Sequence, residues 1–344
     1  MGFSTDWLEV RRGIDEKRNV KPKTADTYTR NIKKLKRELT GSEEIDLKNP
    51  VKWIHNTDKL FDYLDKFRPA TIRNNLAALI VMLETYGKGK KDDDLLLELK
   101  DYFNEFKKII EEDYKNGVKT DRQEKNWVET SVLKKELRKM KKELTEREVF
   151  EKARITKSDL NLLQQWVIMN LYIGDTENHP PARLENYSEM KIIDKDKYDD
   201  LNNTQKESFN WLVVKDRKNK SFIFNIYKTA DKYGSIEIKL SPYMNSIINI
   251  WLKYNKGDYL LFNYRTGEKL SSNHLGRLIT QAFKDTGKNI TINLIRSMFL
   301  TEKYGSKNEE REEEALKMGH STNTQDNFYI KKDEDDDVPS SNNE

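Results

Sequence analysis

The chain contains no cysteine among its 344 residues. That excludes disulfides, thiolate-held zinc and a cysteine nucleophile together, and it fits an intracellular setting. No run of about 18 apolar residues occurs, so no segment is expected to span a membrane. The opening "MGFSTDWLEVRRG" has no apolar signal core, and Thr5 meets the myristoylation pattern only loosely. The phosphate-binding patterns GxxxxGK[ST] and GxGxxG are missing, as is HExxH. ATP, dinucleotide and zincin chemistry therefore have no support, and no cofactor or metal is expected. Histidine is scarce as well, with four in the chain.

Charge is abundant. Charged residues make up 35% and hydrophobic residues 35%, with a mean hydropathy of -0.92. Aromatic residues, at 10%, argue against wholesale disorder. The net charge is +4. Residues 331–344, "KKDEDDDVPSSNNE", hold two lysines against six acids, a net of -4, which leaves +8 on residues 1–330. The tail is expected to be disordered, its acids solvated and not gathered on a metal. The mild basic excess elsewhere suits either nucleic acid or ordinary solubilising charge.

Residues 24–39 set Tyr28, Ile32, Leu35 and Leu39 on one helical face, with Arg30, Lys33 and Lys34 among them and Gly41 as a stop. Residues 70–86 repeat the pattern through Ile72, Leu76, Leu79 and Leu83, with Thr71 as a candidate cap. Arg73 and Asn74, beside Thr71 near the start of that helix, have side chains suited to a phosphate or a base edge. Further helical patterns cover about 51–66 and 94–111. Residues 1–112 thus read as a small helical domain, 113–130 as a polar linker, and 131–330 as a second domain. In the latter, helical patterns at about 131–146, 157–173, 242–255, 273–286, 293–305 and 309–318 surround "WLVV", "SFIFNIYKT" and "SIEIKLS". Phe222, Phe224 and Ile226 alternate and are answered by Ile236, Ile238 and Leu240, which predicts a three-stranded antiparallel sheet. The expected fold class is mainly α with a small antiparallel β-sheet.

Several residues of the second domain have chemistry in common. Arg183 follows a buried helix in "HPPARLENYSEM". Lys228 is expected to end the middle strand at a hairpin, with Lys232 and Lys239 as alternatives. Arg296 sits on a helix among Leu294, Ile295, Phe299 and Leu300, a costly setting unless the charge is paired or faces a polar site. His320, led by Gly319, precedes Tyr329 by nine residues. Two guanidiniums can clamp the non-bridging oxygens of a phosphodiester as charge develops on them. Tyr329 can attack the phosphorus, with Tyr304 as a nearby alternative. His320 can assist the proton transfer, and Lys228 can protonate the leaving 5′ oxygen. His179, ahead of two prolines, reads as structural. His274, with Arg277 on the same helix, is a candidate phosphate contact.

Arg183, Lys228, Arg296, His320 in "GHS" and Tyr329 resemble, in order and spacing, the catalytic set of the tyrosine recombinases, the phage-integrase family. Arg296 precedes His320 by 24 residues. "YKT" resembles the family's mobile lysine turn, and "TIRNNLAAL" is similar to part of its core-binding domain. The resemblance covers most of the chain. It implies a SAM-like core-binding domain at 1–112 and a catalytic domain at 131–330. It also implies a C-shaped clamp on double-stranded DNA, and strand exchange through a 3′-phosphotyrosine without metal or ATP. The DNA-contacting residues would include Arg30, Lys33, Lys34, Thr71, Arg73, Asn74, His274 and Arg277. The expected assembly is a homo-tetramer on paired sites and a monomer or dimer otherwise, and the expected owner is a DNA virus or mobile element. One departure stands out. Three residues before Arg296, where the family usually has His, stands Asn293, which can hydrogen-bond a phosphate but cannot relay a proton. A type IB topoisomerase, or a DNA-binding protein that has lost catalysis, remains the alternative.

Overall fold

A computed structural model describes residues 4–115, 117–304, 314–315, 317–319 and 324. The chain forms two compact units, Met1–Tyr114 and Lys115–Glu344.

The first unit is helical: α1 (Thr5–Arg18), α2 (Pro22–Thr40), α3 (Thr57–Leu64), α4 (Pro69–Tyr86) and α5 (Lys90–Lys115). Helix α1 has no counterpart among the sequence expectations. It is mostly polar, but Trp7, Val10 and Ile14 fall on one face and are buried. The Trp7 indole donates to the Glu43 carbonyl at 2.7 Å, which anchors the helix. In α2 the expected face is buried at Ile32, Leu35 and Leu39, and Gly41 ends the helix at φ +76°. Thr71 does not cap α4. Arg68 is the cap residue and Pro69 takes the first helical position, where a missing N–H costs nothing, so Thr71 falls inside the first turn.

The second unit opens with α6 (Asp121–Asn126), whose Thr120 and Gln123 form a capping box. The stretch expected to be a linker therefore carries a helix. The helix is tied to its own unit, since the Asn126 side chain accepts from the Asn289 backbone at 2.7 Å. Then come α7 (Thr130–Glu146) and α8 (Lys157–Met169), which continues as a π turn through Gly174. They are followed by α9 (Leu184–Ser188), β1 (Lys191–Asp194), α10 (Lys195–Asp199), α11 (Asn203–Glu207), β2 (Trp211–Val214) and β3 (Lys220–Phe224). The described elements end with α12 (Ala230–Tyr233), β4 (Ile236–Lys239), α13 (Pro242–Tyr254), α14 (Ser272–Ala282) and α15 (Ile292–Tyr304). The helix expected at 309–318 falls largely outside the described residues.

The sheet has four strands in the order β1-β2-β3-β4, not three. β2, β3 and β4 are antiparallel, with Phe222 opposite Ile238 and Phe224 opposite Ile236 as the alternation implied. β1 pairs in parallel with β2. Its four residues, "KIID", are too short to show a period, and its partner lies far along the chain. One face of the sheet carries Phe222 and Phe224 into the main core with Trp251, Ile279 and Phe283. The other face carries Trp211, Val213 and Ile223, covered by Tyr198, Leu201 and Phe209. The fold is mainly α with a small mixed sheet.

Candidate functional site

An open cavity of 1220 Å³ lies within the second unit. Its lining includes Arg122, Arg183, Lys228, Arg277, Lys284 and Lys288, and no carboxylate among the described residues. The chain as a whole has 63 basic against 59 acidic residues, so a lining with six cations and no acid is a strong local bias. Hydrogen-bonding neutral groups, among them Asn293, Thr291, Asn289, Ser272 and Ser297, complete the wall. Such a cavity favours an anion with several oxygen acceptors.

Arg183 reaches the cavity from the cap position of α9, in extended backbone after two buried prolines. Its Nε is buried and has no hydrogen-bond partner among the described residues. An unmatched buried donor costs roughly 1–3 kcal/mol, so a bound acceptor would relieve it. The residues around it are fixed. Ser188 and Ser272 share a hydrogen bond at 3.0 Å, joining α9 to the start of α14. A side chain at Gly276 would press on Leu184 at 3.3 Å, so these helices meet closely. His179, before the prolines, is indeed structural. Its ring accepts from the Ser241 backbone at 3.0 Å. Burial first, and then nearby Lys317, lower its pKa against the pull of Asp175, which keeps the ring neutral and able to accept.

Asn210 is the hub that sequence reasoning missed. It is buried just before β2. Its amide nitrogen donates to the carbonyls of Glu185 (3.2 Å), Asn186 (3.1 Å) and Ile226 (3.0 Å). Its oxygen accepts from the backbones of Asn225 (2.8 Å) and Ile226 (2.7 Å). One side chain thus joins the helix after Arg183 to the loop before Lys228. Nothing in "FNWLVV" signals this, because the partners are distant in sequence. Asn210→Ala would strand several buried backbone groups and is expected to lower stability by about 2–4 kcal/mol. Asn210→Asp keeps the acceptors but loses the donors, so it should fail too. Urea unfolding followed by tryptophan fluorescence checks this; a midpoint unchanged in both variants would remove Asn210 as the hub.

Lys228 lies four residues beyond the end of β3, in the turn before α12, and not at the strand end. It is exposed and lines the cavity, whereas Lys232 and Lys239 do not. Asn293 lines it from the first turn of α15. Arg296, one turn later, is fully buried and is not part of the lining. Its Nη2 donates to the Met318 carbonyl at 3.3 Å. Arg296 also lies near Tyr172, whose hydroxyl burial pushes well above its ordinary pKa while the guanidinium pulls the other way. Next along the chain, the Gly319 carbonyl accepts from Thr229 Oγ1 at 2.7 Å. The two peptides leading to position 320 are therefore held by Arg296 and by the Lys228 turn. His320 and Tyr329 themselves lie outside the described residues. Tyr304, the alternative tyrosine, is buried with Phe299, Leu300 and Met318.

Of the α14 pair, Arg277 lines the cavity and His274 does not. Burial, then the positive charges of Arg277 and Arg265, lower the His274 pKa. In the first unit, Lys33 is engaged by Glu43 at 2.9 Å and Arg30 donates to the Asp26 carbonyl at 3.1 Å, while Lys34 is exposed. Arg73 donates to its neighbour Asn74 at 3.2 Å. Arg122, Lys284 and Lys288 join the cavity without having stood out in the sequence. They sit in α6 and in the connection between α14 and α15, which Lys288 ties together by donating to the Lys125 carbonyl at 2.7 Å.

Compared with known protein families and with curated proteins, the sequence matches none. No described helix is long and apolar enough to cross a membrane.

Proposed function

We propose that the chain is a site-specific DNA recombinase of the integrase type, which cuts and rejoins duplex DNA through a 3′-phosphotyrosine. The observation that carries this reading is the cationic cavity, with no carboxylate among its described lining residues, that Arg183, Lys228 and Asn293 line from three separate segments. A supporting one is the pair of hydrogen bonds from Arg296 and Thr229 to the backbone just before His320.

In the proposed step the Tyr329 oxygen attacks phosphorus and gives up its proton toward His320. The P–O5′ bond breaks, and its electron pair leaves with the 5′ oxygen, which takes a proton from Lys228. Arg183 binds the non-bridging oxygens as their charge grows, and Asn293 offers an amide donor beside it. Rejoining is the reverse, with the 5′ hydroxyl as nucleophile.

The test uses the full chain and a nicked duplex whose short 5′ fragment diffuses away after cleavage. An SDS-resistant protein–DNA adduct is expected, and it should form equally well in EDTA, because the guanidiniums supply the stabilising charge. An adduct that needs added magnesium would point to different chemistry. A second reading, a DNA-binding protein without catalysis, is favoured by the burial of Arg296 away from the cavity and by Asn293 in place of a proton relay. Tight, salt-sensitive duplex binding with no adduct on any substrate would select it.

A further inference from the structure

Tyr227, Lys228 and Thr229 form a unit whose outer members both grip Gly319. Gly319 has φ +70°, and a Cβ there would come within 2.9 Å of the Tyr227 ring, so the ring lies directly on the glycine. Only a residue without a side chain suits both conditions. Thr229 holds the same glycine through its carbonyl at 2.7 Å, a link across 90 residues of sequence. The Tyr227 ring also packs in the main core, and the neighbouring Ile226 is held by Asn210, while Thr229 Oγ1 has the Gly319 carbonyl as its partner. The Tyr227 hydroxyl donates to the Gly234 carbonyl at 2.8 Å, and the Thr229 carbonyl accepts from Lys232 and Tyr233 at the start of α12. On the far side, Arg296 holds the Met318 carbonyl, so the peptide under the clamp is itself fixed to α15. Lys228 stands between the two gripping side chains and lines the cavity.

We infer that Thr229 is a positioning residue: its hydroxyl makes the placement of Lys228 in the cavity depend on the docking of the backbone at Gly319, and so on the segment that leads to His320. The inference rests on the recombinase reading and adds to it an assembly check. Without the bond to the Gly319 carbonyl the turn would lose one of its holds, and Lys228 would present its proton to the 5′ oxygen less well. Cleavage would then be fastest with both parts of the site in place.

Thr229→Val keeps the branched shape and removes the hydroxyl. With the nicked duplex, its single-turnover adduct rate should fall roughly 10- to 100-fold, a part of the roughly 10²- to 10⁴-fold that a well-placed general acid contributes. Duplex affinity should be unchanged, and Thr229→Ser should restore the rate. The decisive arm replaces the leaving 5′ oxygen with sulfur. A thiolate leaves without protonation, its conjugate acid having a pKa of about 8.5. Both Thr229→Val and Lys228→Ala should therefore match wild type on that substrate. If wild type is active and Thr229→Val equals it on the oxygen substrate, the clamp idea is overturned and the recombinase reading stands. If the Val defect persists on the sulfur substrate while the Lys228→Ala defect disappears, Thr229 serves the fold and not Lys228, which also overturns it. Wild type inert on both substrates overturns the reading and the clamp together.

Discussion

Tyr329→Phe should abolish the SDS-resistant adduct while leaving duplex affinity within about twofold, since one hydroxyl is lost and no charge on the binding surface changes. Removing a nucleophile that acts together with its partners typically costs more than about 1,000-fold, so the adduct should fall below detection. Three described tyrosines of the second unit are poor substitutes. Tyr304 is only 4% exposed, and Tyr172 and Tyr187 are buried, with hydroxyl pKa values raised by burial. The comparison that matters sets Phe against wild type on the nicked duplex, beside a binding titration at the same salt. An adduct that survives in Phe would remove Tyr329 as the nucleophile. Peptide mapping of that adduct would then name the residue used.

Arg183→Ala should lose cleavage about 100- to 1,000-fold, and Arg183→Lys should recover little of it. The physical reason is the Nε of Arg183, a buried donor with no described partner, on a side chain that opens into the cavity. A planar guanidinium presents several donors in a fixed fork, and a phosphate with two non-bridging oxygens matches it. An ammonium is a point charge and makes the match poorly. The Lys variant separates geometry from charge: it keeps the cavity's count of six cations, so binding and its salt dependence should hold while the rate falls. Single-turnover rates at saturating duplex measure this. A Lys variant as fast as wild type would make Arg183 a contributor of charge only, and would move the phosphate toward Arg277 or Lys284.

How much was legible in the sequence depends on the range of each interaction. Helix α2 could be read because Ile32, Leu35 and Leu39 repeat at the helical period, and β3 and β4 because alternation over a hairpin is also local. The candidate residues Arg183 and Lys228 were nameable one by one from residue type and setting, and Asn293 only through the family resemblance. β1 was not legible, because four residues carry no period and its pairing is parallel and distant. Nor was α6, where a polar stretch becomes a helix through its capping box and through Asn126 on the Asn289 backbone.

By itself, then, the sequence determined the helical character of the first unit, the antiparallel part of the sheet and the chemical types available to a site. These follow from propensity, period and side-chain chemistry, all of which act within a few residues. The tertiary structure alone decided which of those side chains share a space. It brought Arg122, Lys284 and Lys288 to a cavity with Arg183 and Lys228, and it buried Arg296 onto the Met318 carbonyl. It also made Asn210 the joint between two segments. Each of these is a long-range contact set by packing and by the need of buried polar groups for partners, and no local pattern encodes which partner will arrive.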